Sequence, residues 1–222
     1  MSVSWTRVAQ RLHARGCSAL MATQEAFMKF YHSPGSCSEG ILLLLEACGA
    51  SYEVMPTDLK TGAHRDATYL ALNPKGKVPA LMLPDGTVLT EWPVIAYWLA
   101  KTYPEARLLP AGLAEEVAVM ALTEHIVSGL HMRGSVFAMM PQKFVSDAAA
   151  QMELRRHGQE VVQTGFAMLA RQLGDKDHLF GGFSIADAAA YYLISWKDRI
   201  GVEPPAMLES YYLRLKHRCL KP

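Results

Sequence analysis

The chain has 222 residues, half of them apolar, and a net charge of +1 from 22 Lys and Arg against 21 Asp and Glu. That composition excludes disorder over most of the length and gives no reason to expect nucleic acid as a partner. No apolar run approaches the roughly 18 residues of a membrane span, so no membrane partner is expected. Four cysteines without a Cys-x-x-Cys pair are too few for a disulfide scaffold and point to a reducing, cytoplasmic setting. Residues 1–27 carry Arg7, Arg11 and Arg15 but no acid before Glu25. They read as a basic amphipathic targeting segment, as an unstructured tail, or as the product of an upstream start codon used in place of Met21 or Met28.

From residue 28 the pattern becomes α/β. Lys29 to His32 suits a short strand, and the turn Ser33-Pro34-Gly35-Ser36 leads into a helix starting near Cys37 and stopping at Gly49. A second strand, Tyr52 to Pro56, completes a βαβ unit. After a short helical piece and the turn Asn73 to Lys77, a hairpin follows: Ala80 to Leu83, a turn at Pro84-Asp85-Gly86-Thr87, then Val88 to Thr90. Pro93 occupies the first turn of a helix reaching Lys101. The order is therefore β-α-β-α-β-β-α. Tyr103-Pro104 and Leu109 to Gly112 punctuate a linker, which sets a domain boundary near residue 108. Beyond it only helical periodicity remains, at about 113–139, 146–173, 184–199 and 205–218. Ser184 and Asp187 have capping-box spacing at the start of an Ala-rich, buried helix, which makes Asp187 structural.

Cys37 is the first candidate for chemistry. At a helix N-terminus it meets unpaired N–H groups and the positive end of the dipole, so the expected direction of its pKa is down, opposed by Glu39. Cys48 lies eleven residues further on, about 16 Å along the axis, too far for a disulfide with Cys37. No His-x-x-x-His pair exists, and no metal site is expected.

Four segments, Phe30 to Ser38 with its Pro-Gly-Ser-Cys core, Asn73 to Leu81, Asp85 to Glu91 and Phe183 to Asp187, together resemble the cytosolic glutathione S-transferases, most closely the bacterial beta class. The resemblance covers about residues 28–220. It implies a thioredoxin-like α/β N-terminal domain (28–108), an all-α C-terminal domain (109–222), a homodimer, and glutathione as co-substrate. The implied activity is conjugation of glutathione to a small apolar electrophile. Two alternatives are thiol-disulfide exchange through Cys37 and a non-catalytic dimerisation or binding module on the same fold.

Residue by residue, the resemblance gives Cys37 and His131 to catalysis and Lys60 to the glycyl carboxylate. It implies a cis Pro79 that presents Val78 to the cysteinyl group, and it places Glu91 at the γ-glutamyl ammonium. Trp92 stands where the pattern has Ser or Gly, so its ring is expected to stack at the rim of the glutathione pocket or partly to occlude it. Met132, Val136, Phe137, Met139 and Met140 suit either a co-substrate wall or a packing face.

Overall fold

The structure, a computed structural model, describes residues 27–219; the readings of the N-terminal segment lie outside the described residues. β1 (Met28–His32) buries Met28, Phe30 and His32 on alternate positions, the period of a half-buried strand. It pairs in parallel with β2 (Tyr52–Pro56) and antiparallel with β3 (Ala80–Met82). β4 (Val88–Thr90) closes the sheet in the order β2-β1-β3-β4. The parallel pair needs a crossover, which α1 (Ser38–Ala47) supplies by burying Ile41, Leu44 and Leu45. The short helical piece becomes a 3-10 turn, Ala63–Arg65, and α2 (Ala67–Leu72). Asp85 sets the hairpin turn by accepting from the Thr87 N–H at 2.9 Å. The segment ends with α3 (Trp92–Thr102), Pro93 lying in its first turn. This is the expected β-α-β-α-β-β-α order.

Beyond residue 112 the described residues are helical or loop. α4 (Leu113–Glu124) runs on into a wide, π-helical stretch, His125–Ser135, and ends as α5 (Val136–Met139). In that stretch the Val136 N–H bonds the His131 carbonyl, five residues back rather than four. α6 (Ala148–Leu173) follows, capped by the Asp147 carboxylate accepting from the Ala150 N–H. The helix expected over 184–199 is interrupted. α7 (Ile185–Ile194) stops at Ser195, and α8 (Lys197–Ile200) starts after Trp196, which leaves the helical conformation and turns its indole back toward the N-terminal half. α9 (Ala206–Cys219) completes the fold.

α7 is the central pillar. Nine of its ten residues are buried, and its start is fixed by the capping box of Ser184 and Asp187. The fully buried Asp187 carboxylate also accepts from the Leu179 N–H at 3.0 Å and from the Tyr211 hydroxyl at 2.6 Å. These bonds satisfy a charge that would otherwise be costly to bury, and they confirm Asp187 as structural.

α1 packs directly on α7, and Gly40 makes the close approach possible. A Cβ there would stand 2.6 Å from the Ala188 carbonyl oxygen and 2.9 Å from the Trp92 ring. The Gly40→Ala substitution is expected to cost about 1–3 kcal/mol, the range for overpacking a core. Urea unfolding of the two proteins measures it; unchanged or increased stability would show that the interface relaxes freely.

Candidate active site

The loop from β1 to α1 is where the two halves meet. The Gly35 carbonyl accepts from the Trp196 indole N–H and from the Arg199 guanidinium, both at 3.0 Å. Two residues on, the Cys37 carbonyl accepts from the Trp92 indole N–H at 2.9 Å. The Gly35 N–H in turn donates to the Glu39 carboxylate at 2.9 Å, in a backbone conformation (φ +72°) that suits glycine. Beneath the loop lies a buried polar cluster. His32 Nδ1 is 2.8 Å from Ser38 Oγ, which is 2.7 Å from Ser36 Oγ.

Cys37 caps α1, as expected, and its thiol donates to the Val78 carbonyl at 3.6 Å. The side chain is nearly buried, and this reverses the expected direction of its pKa. Burial pushes the thiol up to about 12, although its own backbone N–H and the Lys77 ammonium pull the other way. Helix-end polarity is the weaker influence here, because desolvation disfavours the thiolate more than two or three dipoles favour it.

Val78–Pro79 is a cis peptide bond. The Val78 N–H makes no hydrogen bond among the described residues, which leaves a short edge of unpaired backbone beside the thiol. Glu91 ends β4 and caps α3 at φ +69°, an uncommon conformation for a residue with a side chain. Its exposed carboxylate lies 2.6 Å from the Lys75 ammonium, which also donates to Thr90 Oγ1 at 2.8 Å.

Trp92 does not sit at the rim or over the pocket. It is 4% exposed, its ring packed between Gly40 and Tyr192 with ring centres 5.7 Å apart. As the first residue of α3 it faces α1 and α7, and the missing side chain of Gly40 leaves it room. It supports Cys37 from behind.

Lys60 is exposed in the loop after β2, its backbone N–H bonded to Asp58. The cation whose charge acts on Cys37 is Lys77, which acts on His131 as well. The Lys77 carbonyl is held by the Tyr69 hydroxyl at 2.7 Å and the Asn73 amide at 2.8 Å. Its position immediately before Val78-Pro79 was the available sequence signal.

His131 is half-buried in the π-helical stretch. Its ring lies edge-on to Trp196 and Tyr192, with centres 4.8 and 5.6 Å away, and Nδ1 is 3.3 Å from the Tyr192 hydroxyl. Burial, aided by the positive charge of Lys77, lowers its pKa to about 4. It is therefore a neutral imidazole at physiological pH. Tyr192, fully buried on α7 and within electrostatic reach of Cys37, was not marked by the sequence. The apolar residues after His131 do not form one wall, since Phe137 turns to Phe144 and His157.

Known proteins are similar to this chain in sequence and fold. The family model described as glutathione S-transferase, N-terminal domain, matches residues 35–102. Glutathione S-transferase GstA of Escherichia coli O157:H7 is 29% identical over 76% of this chain and 82% of its own length. The maleylacetoacetate isomerase of Pseudomonas aeruginosa is 33% identical over 78% of this chain and 81% of its own. Among solved structures, a sphingomonad glutathione S-transferase complexed with glutathione is 28% identical and superposes over 87% of this chain and all of that one, with a TM-score of 0.71. This chain therefore belongs to the glutathione S-transferase family, whose co-substrate is glutathione.

Proposed function

We propose that this enzyme binds glutathione against Val78 and transfers it to small apolar electrophiles, with Cys37 as a hydrogen-bond donor and not as a covalent nucleophile. One observation carries the reading: the Cys37 thiol lies 3.6 Å from the Val78 carbonyl, beside the unpaired Val78 N–H and the cis Pro79. A glutathione backbone added antiparallel to that edge brings its cysteinyl group opposite Val78. Its sulfur then faces the N-terminus of α1, where the Cys37 N–H and the helix dipole favour a thiolate. The same register sets the glycyl group opposite Lys77, one residue before Val78, so Lys77 replaces Lys60 as the cation for the glycyl carboxylate. Glu91 takes the γ-glutamyl ammonium in exchange for Lys75.

A thiol that burial pushes up to about 12 is held as S–H at neutral pH, the unreactive form for attack on a disulfide. Held as S–H, Cys37 donates to the glutathione sulfur, and that sulfur forms the bond to the electrophilic carbon. A second reading comes from the Pseudomonas aeruginosa relative, an isomerase by name. In it the same bound thiolate adds to an activated double bond and leaves again after rotation. Assay of maleylacetoacetate beside generic electrophiles decides between them. The free thiols Cys37 and Cys48 support a reducing, cytoplasmic location.

Assembly as a homodimer is supported by apolar side chains exposed on adjoining faces of α3 and α4. These are Val94, Tyr97, Leu113 and Val117, with Lys101 and Glu116 bridging the two helices at 2.5 Å.

Four outcomes are expected. In the free enzyme with its other cysteines replaced by serine, alkylation of Cys37 should rise about tenfold per pH unit without a plateau below about pH 10; a plateau near neutrality would restore the thiolate nucleophile. Cys37→Ala should keep at least roughly a tenth of the conjugation rate, since one donor of several is lost. By calorimetry, Lys77→Ala should weaken glutathione binding roughly fivefold and Lys60→Ala less than twofold, the scale of one partly exposed charge pair; the reverse order would return the role to Lys60. Sedimentation should find a dimer for the wild type and a monomer for Leu113→Glu with Val117→Glu, and a wild-type monomer would refute the assembly.

A further inference from the structure

The Tyr192 hydroxyl lies within the packed aromatic cluster behind Cys37, whose indole N–H groups are committed to the Gly35 and Cys37 carbonyls. Its ring leans on Trp92 and Trp196, with centres 5.7 and 5.1 Å away, and the whole side chain is buried. The hydroxyl lies 3.3 Å from His131 Nδ1 and makes no other hydrogen bond among the described residues. Burial holds the phenol far above its ordinary pKa and the imidazole down at about 4, so at neutral pH the pair consists of an intact O–H and a ring with one N–H.

Only two proton arrangements are then open. If His131 carried its proton on Nδ1, it would donate to the phenol oxygen, and the phenol proton would be left without an acceptor between two indole rings. An unsatisfied buried donor is the costlier choice. If Tyr192 donates to Nδ1, the buried phenol proton has its acceptor and the imidazole proton resides on Nε2, which is not among the buried unpaired atoms of the described residues. Nε2 makes no hydrogen bond among the described residues, and the edge-on contact with Trp196 at 4.8 Å restrains the ring from flipping.

We propose that Tyr192 is a positioning residue that fixes His131 as its Nε2–H tautomer and so makes it a hydrogen-bond donor to negative charge in the site. Under the proposed function, on which this role rests, that charge is the glutathione thiolate or the anion developing on the electrophile. A neutral imidazole is suited to this task because it lends a proton without giving it away. The arrangement also explains a tyrosine in an otherwise alanine-rich stretch of α7, since the ring reaches across the cluster to the π-helical segment.

The test is long-range ¹H–¹⁵N correlation spectroscopy of the full-length enzyme labelled at histidine, with the His131 signals identified by their loss in His131→Gln. The expected wild-type pattern has a protonated Nε2 and a bare Nδ1. Tyr192→Phe, which keeps the ring and removes the hydroxyl, should average the two nitrogen shifts. It should also lower kcat for conjugation roughly three- to tenfold, the loss of one positioned donor, while leaving the glutathione Kd within about twofold. A wild-type Nδ1–H pattern, a wild-type mixture, or an unchanged pattern in the phenylalanine variant would overturn the proposal. The wild-type spectrum decides even if the variant folds poorly. Calorimetric failure of the wild type to bind glutathione would remove the proposed function and leave the tautomer result to stand separately.

Discussion

The peptide carbonyls of Gly35 and Cys37 point into the protein, and two indole N–H groups from different helices hold them. Trp92 comes from the start of α3 and Trp196 from the break after α7, so the loop that carries the thiol is fixed from both halves of the chain. Each bond contributes only about 1 kcal/mol net, but a buried carbonyl without a partner costs more than that. The loop is therefore held in one conformation by the requirement that its backbone be satisfied. Much else follows from this grip. Gly40 leaves room for the Trp92 ring, α8 begins late so that the Trp196 indole can turn back, and Arg199 lies over the Trp196 ring while sharing the Gly35 carbonyl.

The same packing governs the electrostatics. A cysteine at a helix end should be acidic if water reaches it, yet the aromatic cluster and Val78 exclude water, and desolvation outweighs the helix end. His131 experiences the same exclusion and loses its charge. Lys77 counters the burial of Cys37 and adds to the lowering of His131, so a single exposed ammonium acts on both groups.

Much of this was legible in order. The alternation in Met28 to His32, the apolar run of Ile41 to Leu45, the hairpin around Asp85-Gly86 and the capping box of Ser184 and Asp187 are local signals, and each appears where its pattern puts it. The cis Val78–Pro79 bond was legible through resemblance. Three features were not. The interruption at Ser195 and Trp196 serves a contact with Gly35, some 160 residues away in the chain, so no local propensity announces it. The π-helical stretch shifts side chains away from the 3.6-residue period, and the face of His131 could not be read from spacing. Trp92 looked like an obstruction because its size is visible in the sequence and its direction is not.

By itself the sequence determined the succession of elements, the family, and the segment that carries the thiol, because turn chemistry, capping and hydrophobic period act over a few residues. Tertiary structure decided the state of the groups within that segment: a buried thiol, a neutral histidine set against Tyr192, and a tryptophan turned inward. Desolvation and hydrogen-bond satisfaction depend on what surrounds an atom from every side. At Cys37 those surroundings are assembled from α1, Val78, α3 and α7, which are distant in the chain and adjacent only once it has folded.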